Sequence, residues 1–229
     1  MKKLSLLLAG FALVADAQAT VYQYDFTATI QEMVEFSPMT LSGGAVSSSS
    51  LTGNLVSVGA VVHGHFSYDT DTAQFSNFGG TALYAAPGAL NTIGATIGGN
   101  DIGLLNPNYN STNVQVSNNA AVLKGADGFG VSNLSSNAAA SQMMALSFLD
   151  KSGTALGSAA LPSALDFNQF SGASFYYVYT SNTTHAVAGA NGMLTSLTQV
   201  TAVPEPETYA MLLAGLGLVG WSVRRKKQA

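Results

Sequence analysis

Apolar and polar residues alternate over 21–30: Tyr22, Tyr24, Phe26, Ala28 and Ile30 are apolar, whereas Gln23, Asp25, Thr27 and Thr29 are polar. A period of two, built from aromatic and β-branched residues, predicts a strand with one face buried and one wet. A second long strand region is predicted over 54–68, where Val62, Phe66 and Tyr68 alternate with His63, His65 and Ser67. Further strands are expected at 95–97, 102–105, 112–116, 128–132, 143–149, 174–180 and 193–200. Turn chemistry punctuates them at Asp127-Gly128, Lys151-Ser152-Gly153 and Asn191-Gly192. The stretch 41–52, with four consecutive serines from Ser47 to Ser50, reads as a surface loop, and 133–140 as one helical turn or a loop. No period of 20 to 50 residues recurs, which argues against a repeat array. Many short strands with Gly, Asn and Ser turns predict an all-β fold, an antiparallel β-sandwich of jelly-roll type, with barrel closure as the alternative.

The two ends break this pattern. Lys2 and Lys3 precede an apolar run over 4–14 and the triplet Ala17-Gln18-Ala19. A positive start, an apolar middle and small residues at Ala17 and Ala19 make residues 1–19 a secretory signal helix cut after Ala19. The apolar stretch 209–223 lies between a Pro/Glu-rich hinge and the block Arg224, Arg225, Lys226 and Lys227. Fifteen residues are short for a span of about 20, but Thr208 and Ser222 extend the run and the cationic stems can snorkel. A transmembrane helix over 209–223 is therefore expected. Tyr209 and Trp221 stand near its headgroup levels, and the basic tail 224–229 acts as a cytoplasmic stop. The chain divides into a signal peptide (1–19), an exported β-domain (20–200), a linker (201–208), the membrane helix and the tail.

Val203, Pro204, Glu205 and Pro206, then an apolar run containing Leu212, Leu213, Gly215, Leu216 and Gly217, then Arg224 to Lys227, follow in that order. This tail, roughly the last tenth of the chain, resembles the PEP-CTERM sorting signal of Gram-negative bacteria that make exopolysaccharide. The resemblance implies that an integral-membrane exosortase recognises Pro204, Glu205 and Pro206 and passes the protein from the inner membrane to the cell surface or extracellular matrix. The implied partners are the exosortase, the Sec translocon, signal peptidase, the inner membrane and exopolysaccharide. Two prolines keep such a motif extended and outside the helix that follows.

Charge narrows the function of the middle. Of 229 residues 47% are hydrophobic and only 9% charged, with 8 Lys+Arg, 12 Asp+Glu and no Cys. Six of the eight cations sit at the two extremities. The segment 20–203 holds nine acids against Lys124 and Lys151, about −7, which disfavours nucleic acid and anionic lipid as partners. The missing cysteine excludes disulfide modules, zinc fingers and thiol enzymes. No G-x-S-x-G or H-E-x-x-H occurs, only His63, His65 and His185 could serve as an imidazole base, and no carboxylate pair stands out. A non-enzymatic matrix protein is therefore the expectation, ahead of a lectin-like module and a secreted hydrolase.

Three constellations offer binding chemistry. His63, His65 and Asp69 fall on one polar strand face, which suits either a divalent metal or plain solvent exposure. Asp69-Thr70-Asp71 offers Asp69 and Asp71 to Ca²⁺ or, equally, to turn capping; no cofactor is otherwise expected. On the aromatic strand Phe175, Tyr177 and Tyr179 share one face and Tyr176 and Val178 the other. The larger stripe suits a core. The alternative is that Tyr177 and Tyr179 form an aromatic platform for a sugar.

Overall fold

The computed structural model describes residues 21–86, 90–103, 105 and 111–200. The signal peptide, the sorting motif, the membrane helix and the basic tail expected from the sequence lie outside the described residues. Twelve strands run through the described part: β1 (Val21–Ser37), β2 (Ser42–Ala45), β3 (Val61–Asp69), β4 (Gln74–Phe78), β5 (Thr81–Tyr84), β6 (Thr92–Ile97), β7 (Asn100–Asp101), β8 (Asn113–Ala120), β9 (Ala126–Ser136), β10 (Ala140–Asp150), β11 (Gly172–Ser181) and β12 (Val187–Val200). Every pairing is antiparallel. Their order is β4-β5-β8-β9-β10-β11-β12-β1-β3-β6-β7, with β2 on the far end of β1. The protein is thus all-β and antiparallel, but its strands form one continuous sheet rather than the two separate sheets of a jelly roll.

The sheet folds over on itself. β3 and β9 are five strand spacings apart, about 24 Å in a flat sheet. Yet the rings of Tyr68 and Phe129 approach to 5.3 Å between centroids, and those of Phe66 and Phe129 to 6.3 Å. Phe66 also meets Phe148 of β10 at 6.3 Å, and Phe26 of β1 meets Phe175 of β11 at 6.1 Å. The inner faces of the two halves therefore share one sandwich-like core. The alternation over 21–30 supplies it: Tyr24, Phe26, Ala28 and Ile30 are all 2% exposed or less.

β1 then continues beyond the expected strand. Its register with β12 shifts between Ile30 and Glu32, and the next core residue is Met33, so the inward set moves from even to odd positions. A bulge of one extra residue has this effect because side chains alternate with a period of two. Val34 and Phe36 consequently face outward, 55% and 46% exposed.

The sequence placed several boundaries differently. Residues 41–52 contain β2 and a 3-10 turn over Ser50–Thr52, whose N-cap Ser49 accepts a bond from the Leu51 amide at 3.2 Å. Asp127-Gly128 lies within β9 and Asn191-Gly192 within β12, because a tertiary partner on either side pairs both segments as strand. The expected turn at 151–153 is present, whereas most of 133–140 belongs to β9 and the turn into β10. β4 and β5 carry no long alternation and were not expected.

One end of the core is closed by the strandless segment 151–171, and three tyrosine hydroxyls tie it down. Tyr68 donates to the Pro162 carbonyl at 2.9 Å, Tyr84 to the Ala159 carbonyl at 2.8 Å, and Tyr24 accepts from the Leu165 amide at 2.9 Å. Burial, with the Tyr24 side chain as a smaller contribution, pushes the Tyr68 hydroxyl far above its ordinary range, so it stays a proton donor.

Two aspartates, paired directly across β9 and β10, hold the same segment. Asp127 is fully buried and accepts the amides of Asn119 and Leu156, each at 2.8 Å. Asp150 accepts from the Ser152 hydroxyl at 2.6 Å and from the amides of Thr154, Ser152 and Ala155 at 2.8, 3.0 and 3.1 Å. These donors, the Ser152 hydroxyl first, hold the Asp150 carboxyl well below the usual carboxylate range. A depressed native pKa stabilises the fold fully above the unfolded value, near 4, and that contribution is lost as pH falls toward the native value. The acid-induced drop in melting temperature below about pH 4 should therefore be shallower in Asp150→Asn than in the wild-type protein. Thermal melts between pH 2 and pH 7 read this directly, and parallel curves would refute the assignment.

Candidate functional site

A groove of about 870 Å³ lies on the outer face of β12, β1, β3 and β6. Strand register builds it row by row. Thr198, Asp25, His65 and Gly94 are successive cross-strand partners, and the next row runs Ser196, Thr27, His63, Thr96 and Asp101. All of these side chains share the outer face, because directly paired residues on antiparallel strands point the same way. The alternation that buries Tyr24 and Phe26 necessarily exposes Asp25 and turns Thr27 outward.

The two imidazoles take different directions. His63 Nδ1 lies 3.4 Å from the Thr27 hydroxyl, toward β1. The His65 ring lies toward β6, over Gly94, where a Cβ would come within 3.0 Å of it. Gly94 is thus the residue that makes room for His65. At one margin Asp101 accepts the Gly103 amide at 2.5 Å. The groove continues into a second section of about 580 Å³ that shares Asp25, His65 and Thr92 and reaches Gln23, Leu90 and Val200.

Of the candidates named from the sequence, His63 and His65 lie in this groove, whereas Asp69, Asp71, Tyr177 and Tyr179 fall elsewhere. Asp69 ends β3; its carboxylate accepts the Asp71 amide at 2.9 Å and its carbonyl the Thr72 amide at 3.0 Å, the pattern of an Asx turn. His63 and His65 do share the outer face, but among the described residues no three His, Asp or Glu side chains are grouped so as to hold a metal ion. Tyr177 points into the core and is 4% exposed, while Tyr176 on the opposite face is 38% exposed. Burial, followed by the neighbouring Tyr179, pushes the Tyr177 hydroxyl up to about 12.

Tyr177 and the half-buried Tyr179 nevertheless line a smaller cleft of about 300 Å³ at the end of the core opposite the 151–171 segment, with Leu51, Leu55, Ile102 and Gln142. Tyr177 donates to Gln142 Oε1 at 3.3 Å, and Gln142 Nε2 donates to the carbonyls of Ile102, at 2.6 Å, and Gly103. The buried amide thereby pins 102–103, which carries no strand although one was expected there.

Comparison with protein families bears on the tail rather than on this groove. Residues 202–226 match the PEP-CTERM protein-sorting motif. The PEP-CTERM match covers the Val203-Pro204-Glu205-Pro206 stretch, the apolar run and Arg224 to Lys226, as the resemblance implied. The motif implies export and membrane-associated sorting with processing by an exosortase. No curated protein matches the chain. Among the described residues no helix is long and apolar enough to cross a membrane.

Proposed function

We propose that this protein is a non-enzymatic component of a surface or extracellular polysaccharide matrix. In this reading the chain enters the Sec route through residues 1–19, is held in the inner membrane by 209–223, and is then processed at Pro204 to Pro206. The observation that carries it is the PEP-CTERM motif following an all-β domain. Roughly −7 on 20–203 and only two cations there suit a domain that stays soluble outside the cell and is not drawn to anionic lipid.

Mass spectrometry of the protein from membrane and extracellular fractions tests both addresses at once. The expected extracellular species begins at Thr20 and ends near Pro204 to Glu207. A species that keeps its tail through Ala229 and never leaves the membrane fraction would overturn processing and leave an anchored envelope protein.

A second reading, a lectin-like module that grips polysaccharide, is favoured by the polar groove over β1, β3, β6 and β12. It differs from the first in requiring a ligand. Binding of purified protein to a polysaccharide, with a saturable isotherm, separates the two.

A further inference from the structure

We propose that the groove over β12, β1, β3 and β6, and not the tyrosine cleft, is a binding site for a non-acidic glycan. The proposal rests on the lectin-like reading above and gives it a location and a ligand class. Its starting point is the groove's charge. Asp25 and Asp101 both line it, and among the described residues no lysine or arginine does. The two cations of 20–203 are elsewhere: Lys124 caps the 3-10 turn after β8, and Lys151 follows β10. A phosphate, sulfate or uronate would meet two carboxylates without a compensating cation, a repulsion that disfavours acidic ligands.

Apolar ligands fit no better. The aliphatic and aromatic residues at the groove's floor, Phe26, Ile93 and Ala95, are 2–3% exposed and turn their side chains into the core. Between the carbon surfaces of its glycines, threonines and imidazoles, the groove presents a lattice of hydrogen-bonding groups. The carboxylates accept, the imidazole nitrogens of His63 and His65 offer further hydrogen-bonding positions, and Thr27, Thr198 and their neighbours both donate and accept. Chains of sugar hydroxyls, which donate and accept at every position, are the common ligand chemistry that satisfies such a set without bringing negative charge.

The size and course of the cavity agree. About 870 Å³ falls within the usual range for small-ligand sites. The adjoining section of about 580 Å³, through shared Asp25 and His65, makes the groove elongated, as a polymer segment requires. Asp25 and His65, directly paired at the junction of the two sections, are the central contacts.

The test uses the mature extracellular protein and three neutral probes, dextran, β-1,3-glucan and galactomannan, with polygalacturonate as the acidic probe. Binding is followed by affinity electrophoresis and calorimetry at 0.5 M salt, which screens nonspecific charge effects. The expected result is saturable binding to at least one neutral probe and none to polygalacturonate. The double variant Asp25→Asn/His65→Ala should weaken it at least tenfold, and Thr198→Lys, which projects a long side chain into the groove, should do the same.

Asp25, His65 and Thr198 are all exposed, so these variants should keep the wild-type melting temperature. Neutral-glycan binding that survives both groove variants but is lost in Tyr179→Ala would keep the lectin reading and move its site to the cleft, overturning this proposal. Binding to polygalacturonate alone would overturn the ligand class. Binding to none of the four probes would overturn the site and the lectin reading together.

Discussion

Phe129→Ala is expected to destabilise the β-domain by about 3–5 kcal/mol, the range for removing a fully buried phenylalanine with incomplete collapse of the cavity. Phe129 is 1% exposed and stands where the folded-over sheet meets itself. Its ring lies 5.3 Å from Tyr68 and 6.3 Å from Phe66 on one half, and 6.0 Å from Phe148 beside it. Truncation therefore removes contacts between strands that no backbone hydrogen bond joins, and neighbouring strands cannot close the gap without unbending the sheet. Denaturant unfolding of the mature protein measures the effect. Phe78→Ala is the matched control: the same side chain on β4 is 84% exposed, and its loss should change stability by no more than about 0.5 kcal/mol. Similar unfolding midpoints for the two variants would refute the placement of the core.

Removal of 203–229 is expected to abolish sorting altogether. In the proposed reading, loss of Pro204, Glu205 and Pro206 would remove the exosortase recognition site, and loss of the apolar run over 209–223 would remove the membrane anchor. In a strain that carries an exosortase, the truncated protein should appear unsorted in the soluble exported fraction. The double substitution Pro204→Ala/Pro206→Ala separates the two contributions. It leaves the apolar run and the basic block intact but removes both proline rings, whose fixed φ disfavours helix. This variant should accumulate uncut in the membrane fraction. Wild-type surface levels of either variant would show that delivery does not depend on the tail.

The two interior aspartates illustrate how local chemistry acquires meaning only in three dimensions. Asp127-Gly128 has the composition of a tight turn, and taken alone it predicts one. In the folded chain Asp127 sits inside β9 opposite Asp150, and the pair accepts amides from the end of β8 and from the segment that closes the core. A buried carboxylate is tolerated there because donors surround it. The same residue types in a solvated turn would have needed no such partners.

The sequence by itself determined the β class, the strand faces and the sorting motif of the tail. Alternation over 21–30 has one solution in which Tyr24, Phe26 and Ile30 are buried together, because a period of two fits only a strand. The placement of Phe175 and Tyr177 in the core was open to the same reasoning, since the larger stripe of an aromatic strand is costly to leave in water. The sorting motif was legible because it is a matter of composition and order along the chain, without tertiary contacts. Only the tertiary structure decided which strands are neighbours, and with that the candidate site. Asp25 and His65 are 40 positions apart, and their meeting in one groove depends on β1 pairing with β3 in one register out of several. Registers of this kind are set by long-range packing of the buried face, so the composition of the exposed face, where the groove lies, carries almost no record of them.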